Sequence, residues 1–130
     1  MELTSNQTIE LAKSFSKIAL LVAEYRLSNW DSLTDGESQQ LSDLHWSLIN
    51  YSDDYIRLSG TLLLKNAQTD LQSLGKIVSE IDSTVKKLDR VQSVIDIIGT
   101  VLELGAAIAA KDPALIASKI QKVFTDLKAK

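Results

Sequence analysis

Residues 34–65 read TDGESQQLSDLHWSLINYSDDYIRLSGTLLLK. Within them Leu41, Leu44, Leu48, Tyr51, Tyr55, Leu58 and Leu62 recur in alternating steps of three and four without a fault. Such steps put side chains on one stripe of an α-helix and hold a heptad-like seam against a packing partner. Just upstream, Thr34 is followed three residues later by Glu37. That spacing is a capping box, in which each side chain takes up a backbone amide that the first helical turn leaves without a partner. The helix is expected to open at Thr34 and to end near Lys65-Asn66, with Gly60 loosening it from inside.

The same periodicity continues on both sides. Toward the N-terminus, Thr4 and Gln7 form a second capping-box pair, and Ile9, Ala12, Phe15, Ile18 or Ala19, Val22, and Tyr25 or Arg26 mark one face. This helix is expected to stop in the polar run Ser28-Asn29-Trp30-Asp31-Ser32. Toward the C-terminus a second seam runs through Leu71, Leu74, Val78, Ile81, Val85 and Leu88, shortens by one step through Val91, and resumes as Ile95, Ile98, Leu102 and Gly105. A three-residue insertion of this kind overwinds a coiled coil or marks a break. Either one helix runs from about residue 67 to 110, roughly 65 Å long, or the chain bends near Asp89–Gln92 or at Gly99. The last helix has the clearest start: Asp112 as N-cap and Pro113 in the first turn. Its apolar face is Leu115, Ile116, Ile120, Val123, Phe124 and Leu127, and Lys119, Lys122, Lys128 and Lys130 complement the dipole at its C-terminal end.

These elements define an all-α chain: one domain over residues 1–130, an elongated antiparallel bundle of four or five helices joined by heptad-like seams. The lengths suggest that the first and last helices lie end to end along a long third one. Composition agrees with the class. The chain is 45% hydrophobic and 24% charged, and one Pro and five Gly leave little turn material for an all-β fold. There is no cysteine, which excludes disulfide and thiolate chemistry. The start Met1-Glu2-Leu3-Thr4-Ser5-Asn6 shows no basic segment leading into an apolar one, so a cytoplasmic protein is expected, with export by an unconventional route left open.

Net charge is −3 but uneven: residues 1–60 hold nine acids and four bases, residues 61–130 eight acids and ten bases. Between Arg26 and Arg57 there is no Lys or Arg, while Asp31, Asp35, Glu37, Asp43, Asp53 and Asp54 all lie there. Such a field opposes phosphate backbones, and nucleic acid is not an expected partner. Catalytic signals are weak as well. His45 is the only histidine, which excludes His-pair metal sites, and Ser42 stands where a Glu-x-x-His motif would need Glu. Asp53 and Asp54 are adjacent and diverge by about 100° on a helix, as Glu80 and Asp82 also diverge. The glycines are too scattered for a phosphate loop. Neither enzymatic activity nor a cofactor or metal is expected.

Two features point toward function. The first is aromatic: Tyr25, Trp30, Trp46, Tyr51 and Tyr55, all the Trp and Tyr of the chain, fall within residues 25–55, which also hold the six carboxylates. Trp and Tyr are enriched among interface residues that carry binding energy. Trp30, Trp46, Tyr51 and Tyr55, with Asp53 and Asp54, are therefore candidate partner-facing residues of a non-catalytic interaction module, for a protein partner or a second copy of the chain. The alternative places Tyr51 and Tyr55 in the core and Trp30 at one end of the bundle.

The second feature is residues 94–110, the most apolar run, where Asp96, Thr100 and Glu103 form a narrow polar stripe. A helix apolar almost all round is either central to a bundle or held in lipid. With two carboxylates in 17 residues it falls short of an ordinary spanning segment. Gly105 and Ala109 form a small-xxx-small pair that permits close approach. Together with the last helix it is similar in pattern, over residues 94–127, to the conditional apolar hairpin of α-helical pore-forming toxins, with no diagnostic motif. That resemblance implies membrane insertion through Ile95, Ile98, Val101, Leu102, Ile108, Leu115 and Ile116. The membrane ranks behind a protein partner.

Overall fold

The computed structural model describes residues 5–57, 67–85, 87 and 90–129. They form five α-helices: α1 (Ser5–Ser28), α2 (Asp35–Ile56), α3 (Ala67–Val85), α4 (Val91–Ala109) and α5 (Pro113–Ala129), with one 3-10 turn at Trp30–Ser32 between the first two. The expectations resting on Thr4, on residues 58–66 and on the side chains of Leu71 and Leu88 lie outside the described residues. The rest of the helical periodicity is realised. Thr34 and Glu37 form both halves of the capping box at 3.1 and 2.9 Å. The Asp112 carboxylate accepts from the Leu115 amide at 3.2 Å, and Pro113 opens α5.

The long third helix does not form. α3 ends at Val85 and a separate helix, α4, opens at Val91, while Gly99 lies inside an uninterrupted α4. The five helices have 24, 22, 19, 19 and 17 residues, so the end-to-end packing of the first and last against a long third is corrected. Each helix instead packs chiefly on two others, in the closed cyclic order α1–α2–α4–α5–α3. The accessible surface, 7055 Å², is close to the roughly 6,800 Å² expected of a compact globule of this mass, which removes the rod.

Contacts at the ends fix the directions. The C-terminal part of α1 (Tyr25, Ser28), that of α3 (Asp82, Val85) and the start of α4 (Val91, Gln92) share the walls of two adjoining clefts at one end. Asp96 and Gly99 of α4 meet Asp126 and Ala129 of α5 toward the same end. Successive helices therefore run up and down, while the ring neighbours α2 and α4, α1 and α3, and α3 and α5 are parallel. Inside the ring Phe15, Leu41, Leu48, Tyr55, Leu74, Ile77, Ile81, Ile97, Val101, Leu104, Ile108 and Val123 are fully or almost fully buried. Phe15 and Tyr55 meet edge to face with centroids 5.0 Å apart, a geometry that adds to the burial of both rings.

One register differs from the sequence reading. Ile9 is 41% exposed, and Thr8 and Leu11 take the inward positions beside Ala12 and Phe15. The α1 face shifts because Leu11, Ala12, Phe15, Ile18, Ala19 and Val22 together define a better-centred stripe than one that begins at Ile9.

Candidate interaction surface

α1 and α2 form an antiparallel hairpin whose register is pinned by two polar bridges. The buried Ser52 hydroxyl donates to the Ala12 carbonyl at 2.7 Å, and Arg26 Nε donates to the Ser38 hydroxyl at 2.9 Å. Both pairs sum to the same register, so Ile9 lies level with Tyr55, Leu20 with Leu44, and Leu27 with Glu37. The link is short and tied to itself. The Asn29 side chain donates to the Tyr25 carbonyl and Ser32 to the Asn29 carbonyl. The Arg26 guanidinium lies 4.9 Å from the Trp30 ring centroid and braces it.

The six candidate residues separate on this scaffold. Tyr55 is fully buried, so it is not placed to face a partner; its hydroxyl donates to the Gly105 carbonyl at 2.9 Å. Burial, and after it the charges of Tyr51 and Asp54, push the Tyr55 phenol well above its ordinary value. Tyr51 is half-buried and stacks on Tyr55, 5.9 Å between centroids and 16° between planes. Both tyrosines lean on α4 at Gly105, where an added Cβ would stand 2.9 Å from the Tyr51 ring and 3.1 Å from the Tyr55 oxygen. The closeness foreseen for Gly105 thus serves the α2–α4 contact, and Ala109 is exposed.

Trp30, Trp46, Asp53 and Asp54 remain on the outside. Trp46 is 59% exposed and meets the His45 ring edge-on at 4.9 Å. Asp53 stands seven residues on, in the same outward rank, and Asp54 beside it is exposed too. Neither has an ion-pair partner among the described residues. The sequence reading missed what joins them. Of the seven large apolar side chains left exposed among the described residues, six belong to this hairpin: Ile9, Leu20, Leu27, Trp30, Trp46 and Ile56. Leu20 and Leu27 are seven residues apart on the side of α1 opposite Phe15 and Val22. Two leucines in the polar sector of an amphipathic helix were the available signal.

The other hairpin, α4 with α5, is closed toward the core. Ile98, Val101, Ile108 and Ile116 are buried, Ile95 and Leu102 half-buried, and only Leu115 is exposed. Its polar stripe faces α5. The Thr100 hydroxyl hydrogen-bonds the Asp126 carboxylate at 2.5 Å, and the Glu103 carboxylate accepts from Lys122 at 2.7 Å and Lys119 at 3.5 Å. The Lys122 hydrogen bond, helped by the charges of both lysines, holds the Glu103 carboxyl below its ordinary value. Among the described residues, no group of three or more His, Cys, Asp or Glu side chains is arranged to hold a metal ion.

Comparison of the chain with known protein families, with curated proteins and with solved structures gave no match.

Proposed function

We propose that this protein is a non-catalytic helical-bundle interaction module that binds through the outer face of its α1–α2 hairpin. The observation carrying this reading is the gathering of Ile9, Leu20, Leu27, Trp30, Trp46 and Ile56 on one hairpin, while among the described residues of α3, α4 and α5 Leu115 is the one large apolar side chain left exposed, the others being buried or half-buried. Exposed apolar side chains are ordinary when scattered and informative when gathered. The paired carboxylates considered for acid–base work give no support to catalysis: Asp53 and Asp54 are both exposed and diverge. Self-association through the same face is part of the proposal, although the compact shape removes the argument for it from a rod.

The test is a photo-crosslinking residue at Trp46, with Gln121 on the exposed side of α5 as control. Partner or self-crosslinks from position 46 and none from 121 are expected. Equal yields from the two positions, or none from 46, would sink the reading.

Membrane insertion is the second reading. The observation in its favour is that α4 is long and apolar enough to cross a membrane, although half of that stretch is buried in the ring. It requires α4 and α5 to leave α2 and α3. Flotation with vesicles of anionic lipid, with dye release, separates it from the first.

A further inference from the structure

We infer, resting on the reading just proposed, that the occupant of the α1–α2 face is a cationic amphipathic helix of another protein. In the ring α1 also packs on α3, and α2 on α4, so the two together turn one common side outward. On that side Ile9, Leu20 and Leu27 stand along α1, and Trp46 and Ile56 along α2. Between them the floor is built from Ala23, Ser42 and Ile49, and the exposed Ile56, seven residues beyond Ile49 in the same rank, closes it at the end beside Ile9. The α1 rank and Trp46 of α2, standing over this lower floor, form the groove that an amphipathic helix fills with its own apolar face. From Ile9 to Leu27 the groove is about 27 Å long, which suits a partner helix of about 18 residues.

Charge selects the kind of helix. Along the α1 bank Glu10 and Glu24 are matched by Lys13 and Lys17. On α2 Asp53 is exposed in the rank of Trp46, and Asp43 and Asp54 are exposed on the flank of the same helix toward α4, with Arg57 the one base exposed on α2's end among the described residues. At the turn end Asp31 and Asp35 are exposed beside Trp30; Arg26 there is engaged with Trp30 and Ser38, and Arg90 lies in the cleft with Ser32, Leu33 and Glu37, toward the start of α4. The rim is therefore acidic along α2 and around the turn. A partner with Lys or Arg flanking its apolar stripe gains steering and register there, and an acidic helix is repelled. A second copy of this chain would bring the same acidic bank against itself.

Two synthetic 18-residue helical peptides with one shared leucine face test this, one with lysines flanking that face and one with glutamates. Binding is followed by peptide anisotropy and by the fluorescence of Trp30 and Trp46. A lysine peptide of the same composition but scrambled, without an apolar face, controls for charge alone. The ordered lysine peptide should bind roughly tenfold tighter or better than the glutamate peptide at low salt, with the margin shrinking as salt rises. Leu20→Asp with Leu27→Asp should abolish its binding. Asp53→Asn with Asp54→Asn should weaken it and flatten the salt dependence. Circular dichroism confirms the fold of each variant, and these exposed positions should leave it intact.

Equal binding of the two ordered peptides would overturn the charge inference and leave an apolar docking face standing. Equal binding of the scrambled peptide would overturn the groove. If neither ordered peptide binds while position 46 still crosslinks to another protein, this occupant is wrong and the interaction reading survives. If crosslinking at position 46 fails as well, both fall.

Discussion

At single residues, the sharpest expectation concerns two glycines of α4. Alanine normally stabilises a helix interior by about 1 kcal/mol over glycine. At Gly99 an added Cβ meets nothing within 4 Å, and Gly99→Ala should raise stability by up to about that amount. At Gly105 the same methyl would stand 2.9 Å from a Tyr51 ring carbon and 3.1 Å from the Tyr55 hydroxyl, in a stack braced by Phe15. The rings cannot swing aside without breaking the bond to the Gly105 carbonyl, so Gly105→Ala should destabilise by about 1–2 kcal/mol, the crowding outweighing the propensity gain. Urea unfolding of the two variants checks the opposite signs. Tyr55 carries a second expectation, in pH. Its neutral form is favoured in the fold because burial disfavours the phenolate. A group whose folded value is raised contributes stability that is whole below its unfolded value, near 10, and is lost as pH climbs beyond it. Alkaline unfolding should therefore steepen above pH 10. Tyr55→Phe should remove that slope while costing about 1 kcal/mol at neutral pH for the lost hydrogen bond. Unchanged alkaline steepness in Tyr55→Phe would assign it to another group.

At the level of helices, the turn between α4 and α5 closes in a Schellman arrangement: the Asp112 amide donates to the Ala107 carbonyl at 3.5 Å and the Lys111 amide to Ile108 at 3.0 Å. Lys111 occupies the left-handed position at φ 59°. A residue with a Cβ costs roughly 1 kcal/mol there relative to glycine. Lys111→Gly should raise the melting temperature with no change in helix content; a fall would mean that the lysine side chain holds the turn by another contact. Helix starts were legible in the sequence because they are local chemistry: Thr34 with Glu37, and Asp112 before Pro113, need no knowledge of the rest of the chain. The break between α3 and α4 was legible as one of two outcomes, since a shortened step in a seam shows strain without saying whether the chain absorbs it or bends. Helix order was not legible. α5 slots between α3 and α4, and α1 between α2 and α3, an arrangement chosen by how the apolar stripes close around one core. The proposed interaction face was half legible. Trp46 and Asp53 could be found by composition and period, but Tyr51 and Tyr55 shared that composition and belong to the seam. Leu20, Leu27 and Ile56 look like core residues until the buried stripe is centred and they fall on its far side.

At the level of the whole molecule, the ring sets a condition on the membrane reading. For α4 and α5 to enter lipid as a hairpin, the α2–α4 and α3–α5 seams must open while the α4–α5 seam holds. That inner seam carries ionic and hydroxyl bridges, through Glu103 with Lys119 and Lys122 and Thr100 with Asp126. Mild acid does not release the Glu103 bridge. A carboxylate held below its ordinary value contributes stability above about 4.5 that is lost only as pH falls through the lowered value. The α2–α4 seam, by contrast, depends on apolar packing and on one buried hydrogen bond, Tyr55 to Gly105. Opening it exposes Ile97, Ile98, Val101, Leu104 and Ile108 at once, a cost that water does not repay and lipid would. In water, the amides of α4 should therefore exchange only through global unfolding, at the rate of the slowest amides of α1 and α2. Hydrogen exchange at mildly acidic pH with anionic vesicles then separates the cases. Retained protection in α1 and α2 with an altered pattern confined to residues 94–127 would show the hairpin leaving as a unit. Uniform protection, unchanged by lipid, is the outcome expected of a ring that opens only as a whole, and it would count against the hairpin reading while leaving the proposed α1–α2 face to its own test.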